Sequence, residues 1–133
     1  MKEVQQQIIP ISLGMVKTFL IKGKGTVLVD AGLVGSDGTI LEALKNSNVN
    51  PKDISLILIT HNHTDHVGGL SRLKELTGAK VAIHKSEADA LKQGISSEVK
   101  PVSLFGKILT KLLRNPSFNG VEPDILIENE LPL

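Results

Sequence analysis

The side chains with the clearest capacity for chemistry lie in one short stretch, which reads Thr60-His61-Asn62-His63-Thr64-Asp65-His66. Three of the four histidines of the chain and an aspartate fall within six positions here, directly after an apolar run. Neutral imidazole and carboxylate are groups that hold zinc or a similar divalent ion. A fold gains little by crowding them, because each must be desolvated or paired when it is buried. The stretch therefore predicts a metal site, and with it hydrolytic chemistry.

The spacing of these groups suits two ions. His61 and His63 can approach one ion from the same side, and the adjacent Asp65 and His66 can reach a second ion nearby. Two close ions can share a water or hydroxide, lower its pKa and polarise a carbonyl or phosphoryl oxygen. Asp65 is also the candidate catalytic residue, because its carboxylate could accept the proton of the nucleophile. Whether it acts in this way or as a ligand depends on how many ions bind.

Composition limits the partners that we expect. The chain has 133 residues, enough for one core, and its 15 basic and 14 acidic side chains leave a formal charge of +1. Such a balance does not attract nucleic acid or an anionic membrane, and three phenylalanines as the only aromatic residues do not favour base stacking. The polar start, Met1 to Gln7, has no apolar stretch, so we expect no signal peptide, and no apolar run reaches membrane-spanning length. We therefore expect a cytoplasmic protein with a small-molecule substrate, no nucleic-acid partner and no membrane partner.

Alternating strands and helices must position the histidine-rich stretch. Apolar and β-branched runs predict strands at residues 7–13, 16–21, 26–29, 54–59, 80–84 and 124–128. Helical spacing and caps predict helices at residues 37–45, 67–76, 86–92 and 101–114. The stretch would then sit on a loop between the central strand 54–59 and a helix, where Gly68 and Gly69 let the backbone pass close to the site. All of this fits one α/β domain over residues 1–133.

Residues 60–70, Thr-His-Asn-His-Thr-Asp-His-Val-Gly-Gly-Leu, resemble the His-x-His-x-Asp-His signature of the metallo-β-lactamase superfamily. The resemblance extends to the segments on either side, at residues 19–23, 27–32, 53–59 and 81–87. Because His63 is retained, the chain is more similar to the general hydrolases of the superfamily, such as glyoxalase II-like thioesterases and lactonases, than to the di-iron oxidoreductase branch. A polar surface loop without a metal is the alternative interpretation of residues 61–66, and the strand–loop–helix context disfavours it.

The resemblance implies a metallo-β-lactamase-like αββα sandwich and a hydrolase that acts through a metal-bound hydroxide on an ester, thioester, lactone or amide. It implies that His61 and His63 bind the first metal and that Asp65 and His66 bind the second. Zinc is the expected ion, although His/Asp sites also accept iron or manganese. Asp30 would lie behind the ligands and orient their loop. A simple turn role for Asp30, in Asp30-Ala31-Gly32, is an equally good interpretation.

The resemblance also implies ligands that do not occur in this chain. The family pattern has a further histidine, a bridging aspartate and a last histidine in its second half, but only His84 follows residue 66 and no Gly-Asp follows. We therefore expect only the N-terminal αβ half of the domain. The alternative function is a catalytically incomplete half-domain that binds metal weakly or not at all. It would self-associate as a homodimer through its uncovered sheet face, because burial of that face recovers about 25 cal/mol per Å².

Two further features have competing interpretations. His84 could replace a missing ligand, but a strand-end histidine with a structural hydrogen bond is the favoured interpretation. The basic amphipathic helix at residues 101–114 could bind a membrane surface, pack on the protein itself or on a partner, or cover a substrate cleft. We favour packing.

Overall fold

The computed structural model describes residues 6–95 and 118–128 of the chain. Its centre is a six-stranded sheet with the strands in sequence order. The strands are β1 (Gln7–Ser12), β2 (Lys17–Lys22), β3 (Thr26–Val29), β4 (Ile54–Leu58), β5 (Lys80–His84) and β6 (Ile125–Ile127). The helices are α1 (Asp37–Asn46), α2 (Thr64–Val67), α3 (Leu70–Thr77) and α4 (Ala88–Gln93), with short 3₁₀ helices at Pro51–Asp53 and Lys85–Glu87.

The sheet changes direction at β3. Strands β1, β2 and β3 pair antiparallel through short turns, whereas β3, β4, β5 and β6 pair parallel. Parallel neighbours need a crossover connection, and helix α1 supplies it between β3 and β4, while α2 and α3 supply it between β4 and β5. The carboxyl ends of β3, β4 and β5 therefore meet at one edge of the sheet.

One face of the sheet carries the core. Its strand residues pack with the apolar sides of the helices into a single buried cluster. The strand members that lie in register across this face are Leu20, Leu28, Ile57 and Val81, and the helix members are Ile40, Leu44, Leu70, Leu73 and Leu91. We call this side the covered face.

The opposite side, which we call the open face, is also apolar but is not buried in the same way. The register places on it Ile8, Pro10, Phe19, Ile21, Val27, Val29, Leu56, Leu58, Ala82, Ile125 and Ile127. Ile8 is 64% exposed, Phe19 38% and Ile125 42%, whereas Ala82 is the one of these side chains that is buried. Folded proteins rarely leave so continuous an apolar surface in water without a function for it.

The predicted elements are confirmed with three differences. The helix expected at residues 67–76 begins only at Leu70, because the chain breaks at Gly68 and Gly69, and a separate short helix, α2, covers Thr64–Val67, where the sequence predicts a loop. Helix α4 begins at Ala88, after a 3₁₀ turn, rather than at Ser86. The nearly continuous apolar run of residues 54–59 predicts a strand that is covered on both faces, but the open face leaves Leu56 and Leu58 of β4 only half-buried, so this strand is fully covered on one side only. The helix predicted at residues 101–114 lies outside the described residues. Within the described ranges, no helix is long and apolar enough to cross a membrane.

Candidate metal centre

The histidine-rich stretch lies beyond the carboxyl end of β4, as predicted, and continues into the short helix α2. The amides of His66 and Val67 donate to the carbonyl oxygen of His63 over 2.8 and 3.0 Å, which closes the first turn of this helix. His61 and His63 therefore lie on the loop, whereas Asp65 and His66 lie on the helix. His61 is exposed, and the other three side chains are half-buried.

The three histidine rings form one cluster. The ring centroids of His61 and His63 are 5.5 Å apart and the rings stack at 19°. The His66 ring lies 5.8 Å from His61 and 6.1 Å from His63. Rings at such separations leave room for an ion between their nitrogen atoms.

Asp65 supplies the observation that best fits a metal. Its Oδ1 atom is buried and, among the described residues, has no hydrogen-bond partner. Oδ1 lies 3.7 Å from Nε2 of His66, which is too long for a hydrogen bond. Zinc–nitrogen and zinc–oxygen bonds are each about 2.0–2.2 Å, so atoms at this separation can both bind one ion. Donor atoms of His63, Asp65 and His66 all lie within 4.8 Å of one another. These residues fit a divalent ion.

Asp30 holds the opposite side of the His66 ring. Its buried carboxylate accepts hydrogen bonds from the Thr60 amide (2.8 Å, to Oδ1) and the Thr60 hydroxyl (2.7 Å, to Oδ2). Oδ2 also lies 3.0 Å from Nδ1 of His66. When Nδ1 carries the proton and donates to Asp30, Nε2 is left with a lone pair that points toward Asp65. This is the tautomer that a metal ligand requires.

The backbone beyond Asp30 fixes the start of the helices. Asp30 itself has φ +68°, a left-handed conformation that aspartate tolerates better than most residues. The Ala31 amide donates to the His66 carbonyl over 2.7 Å, and the Gly68 amide donates to the Gly32 carbonyl over 2.7 Å. A Cβ at Gly68 would overlap the backbone of residues 33–34, and one at Gly69 would lie 2.5 Å from the Ala31 oxygen. Two glycines are therefore needed where these segments cross.

Two residues beside the cluster take different roles. Asn62, between the two loop histidines, is fully buried, and its Nδ2 donates to the Ile95 carbonyl over 2.8 Å. No pattern in the sequence singles out Asn62. His84 is exposed, and its Nδ1 lies 2.8 Å from the Ser86 hydroxyl and accepts from the Ser86 amide at 3.1 Å. His84 thus takes the structural role that we favoured for it.

The structure brings together all the residues that the sequence singled out for this site. His61, His63, Asp65 and His66 form the cluster, and Asp30 lies behind it. The grouping differs in one respect from the expected pairs, because His63 lies with Asp65 and His66 while His61 stands at the exposed side. The assignment of these residues to individual ions stays a prediction.

The fold and the site define a class of protein. The chain belongs to the metallo-β-lactamase superfamily, whose family model matches residues 11–130. The structure is similar to that of the class B3 di-zinc metallo-β-lactamase LRA-12 from an Alaskan soil metagenome. The TM-score is 0.79 at 25% identity, over 96% of this chain and 45% of that one. The resemblance found in the sequence and the α/β fold class are confirmed.

Relatives within this class have different activities. A probable metallo-hydrolase of Methanocaldococcus jannaschii is 36% identical over 67% of this chain and 41% of its own length. The exodeoxyribonuclease WalJ of Streptococcus pneumoniae is 33% identical over 69% of this chain and 35% of its own. A hydroxyacylglutathione hydrolase of Cereibacter sphaeroides is 38% identical over 55% of this chain and 28% of its own length. The chain spans less than half the length of each of these proteins.

Proposed function

We propose that this chain carries the metal-holding part of a hydrolase that acts on a carbonyl group of a small molecule: an ester, thioester, lactone or amide. His61, His63, Asp65 and His66 are its metal ligands, and zinc is the ion. The observation that carries this proposal is the buried Oδ1 of Asp65, which has no hydrogen-bond partner in the described part of the chain and faces Nε2 of His66. An unpaired buried carboxylate oxygen is costly unless an ion or water completes it.

Each side chain has a defined task in this proposal. Zinc, when bound, supplies a hydroxide at neutral pH and polarises the carbonyl oxygen. Asp30 keeps the proton on Nδ1 of His66, so that Nε2 stays a ligand. Asp65 contributes one oxygen to the ion, and its carboxylate is the group nearest to accept the proton of the nucleophile. His61, exposed at the rim, lies on the side from which a substrate can enter.

Composition favours a carbonyl substrate over nucleic acid, since the formal charge is +1 and only three aromatic residues are present. The hydroxyacylglutathione hydrolase among the relatives supports this choice. The exodeoxyribonuclease among them makes a phosphodiester the competing substrate.

The test combines metal analysis with two assays on the purified chain. We expect bound zinc in stoichiometric amount and hydrolysis of a thioester, but not of a phosphodiester. His61→Ala and His63→Ala should each lower zinc content and abolish turnover, and the chelator-treated chain is the control for metal dependence. Phosphodiester hydrolysis alone would overturn the substrate class, and a chain that binds no zinc would overturn the whole proposal.

The open face supports a second candidate, the catalytically incomplete half-domain that self-associates. Six strands about 4.8 Å apart, each with about four residues of 3.3 Å, make a surface of roughly 400 Å². Two copies would bury roughly 800 Å² in total, which is below the size of stable interfaces. This candidate therefore predicts a weak, concentration-dependent homodimer.

Sedimentation at rising protein concentration tests this second candidate. Phe19→Lys puts a charge on the open face and should abolish the dimer. Met15→Lys is the matched control, because Met15 is fully exposed in the turn between β1 and β2, off that face. A monomer at all concentrations, with stoichiometric zinc and turnover, would exclude this candidate. A metal-free, inactive dimer would support it.

A further inference from the structure

We propose that Asn62 is a positioning residue for the metal ligands. By tying the middle of the ligand loop to both ends of helix α4, it aims His61 and His63 toward the ion. This inference rests on the proposed function, because it concerns how the same metal is held.

The burial of Asn62 is unusual for its position. Its neighbours His61 and His63 are exposed and half-buried, whereas Asn62 between them has no exposed surface. A buried amide must be hydrogen-bonded, and Nδ2 of Asn62 donates to the Ile95 carbonyl over 2.8 Å. The Asn62 backbone amide lies 3.3 Å from Oε1 of Glu87. Side chain and backbone of one residue thus make separate attachments.

Both attachments lead to the same helix. Glu87 lies immediately before α4, and Ile95 lies two residues after its last residue, Gln93. The Ile95 acceptor is itself fixed, because Gly94 turns the chain at φ +73° and the Ile95 amide donates to the Ala90 carbonyl over 3.0 Å. Asn62 is therefore attached to the residues that flank both ends of α4.

The attachments of Asn62 also orient the two neighbouring histidines. The His61 and His63 rings stack at 19° with centroids 5.5 Å apart, so the residues on either side of Asn62 present their rings together. With the Asn62 side chain drawn into the protein, the two rings are directed to the same side of the loop. Release of the tether would let the loop rotate and would separate the two rings.

The test compares Asn62→Leu with Thr77→Val in the 133-residue chain. Asn62→Leu keeps the side-chain shape but removes the donor to Ile95. Thr77 is the matched control, since it is also buried and its hydroxyl donates to the Leu73 carbonyl over 2.7 Å, at the end of α3. Both variants should unfold at lower denaturant concentration when metal-free. Zinc affinity, measured by competition with a chelator, should fall by about 10- to 100-fold in Asn62→Leu only.

Cobalt(II) in place of zinc gives a readout that loss of stability alone would not move. The visible absorption of the cobalt-loaded chain reports the ligand geometry, and it should change in Asn62→Leu and stay unchanged in Thr77→Val. Equal zinc affinity and an equal cobalt spectrum in Asn62→Leu would overturn the positioning role. If the unsubstituted chain binds no zinc, the proposed function fails with it, whereas normal binding in both chains refutes only the inference about Asn62.

Glu87→Ala tests the same tether when Asn62→Leu does not fold. It removes only the contact to the Asn62 amide, from a half-buried side chain. We expect a zinc affinity several-fold lower and a cobalt spectrum shifted in the same direction. An unchanged affinity and spectrum in Glu87→Ala would then count against the tether.

Discussion

The carboxyl ends of β3 and β5 flank the end of β4 on either side, and each carries a residue capable of metal or proton chemistry. At the end of β3, Asp30 is 5% exposed and directs its carboxylate to Thr60 and His66. At the end of β5, His84 is exposed and its Nδ1 faces Ser86. Two strand ends equally adjacent to the site therefore serve it very differently.

Local backbone conformation explains the difference. The left-handed turn at Asp30 sends the chain back over the helix start, where Ala31 bonds to His66 and Gly32 bonds to Gly68. His84 instead begins a 3₁₀ helix as its N-cap residue, and its ring accepts from the Ser86 amide. Nδ1 of His84 is thus engaged within its own turn, and His84 does not belong to the group of donor atoms formed by His63, Asp65 and His66. A residue at the same edge of the sheet as the site thus does not necessarily have a role in the site.

The largest effect that we predict from this comparison is that of Asp30→Asn. Asparagine also tolerates the left-handed conformation, so the change acts on the hydrogen bonds rather than on the backbone. An amide NH₂ cannot accept from both the Thr60 hydroxyl and Nδ1 of His66, so His66 loses its tautomer and orientation. We expect zinc affinity to fall by about 10- to 100-fold and the free energy of unfolding to fall by about 2–3 kcal/mol.

Zinc titration and denaturant unfolding of the metal-free chain measure these two effects for Asp30→Asn. Asp89→Asn is the control, since Asp89 is an exposed aspartate of α4. A zinc affinity for Asp30→Asn equal to that of the control would mean that Asp30 serves only its turn, which is the interpretation that the sequence alone leaves equally open.

The sequence predicts most of the fold because each strand or helix has its own local pattern of apolar and polar residues. The limits of β5 at Lys80–His84 agree with the prediction to the residue, since its apolar run is bounded by polar positions. The break at Gly68 and Gly69 is missed for a physical reason. Helical spacing continues across it, and the break is imposed by the close approach of residues 31–34, which are distant in the chain.

The candidate site likewise has residues that the sequence predicts and one, Asn62, that it does not. Its candidate ligands are found because their types are rare and lie within six consecutive residues. Asn62 is missed because its partners, Glu87 and Ile95, lie 25 and 33 positions further along the chain. Nothing in the motif distinguishes the buried asparagine from the exposed His61 and the half-buried His63 on either side. Anchors of this kind are visible only in the folded structure.

A smaller effect is predicted for Asp124, a second carboxylate that accepts from a backbone amide, but at the amino end of β5. The Val81 amide, at 2.8 Å from Oδ2, and then the Lys74 ammonium hold the pKa of Asp124 below its ordinary value, although partial burial opposes them. The folded state thus favours the charged carboxylate. Its contribution to stability is fully present above the ordinary value of 3.8 and is lost as the pH falls through the folded value.

Asp124→Asn should therefore lower the free energy of unfolding at neutral pH by about 0.5–1 kcal/mol, since the side chain is 37% exposed, and should flatten its fall in acid. Denaturant unfolding at a series of pH values checks both parts. Zinc affinity should not change, because this carboxylate lies at the far end of β5 from the cluster. A pH dependence identical to that of the unsubstituted chain would show that other carboxylates dominate acid unfolding.

The smallest effect tests the β5 end itself. His84→Ala removes an imidazole from the edge of the sheet that carries the site, yet among the residues that the structure describes the ring bonds only within the turn at residues 84–86. We expect a stability loss of about 0.5–1 kcal/mol, as for other N-cap residues, and a zinc affinity within about twofold of the unsubstituted chain. Ser86→Ala should reproduce only part of the stability loss, since it removes the hydroxyl contact to Nδ1 and keeps the amide contact. A tenfold weaker affinity for zinc in His84→Ala, but not in Ser86→Ala, would make His84 a ligand and would remove the difference between the two strand ends.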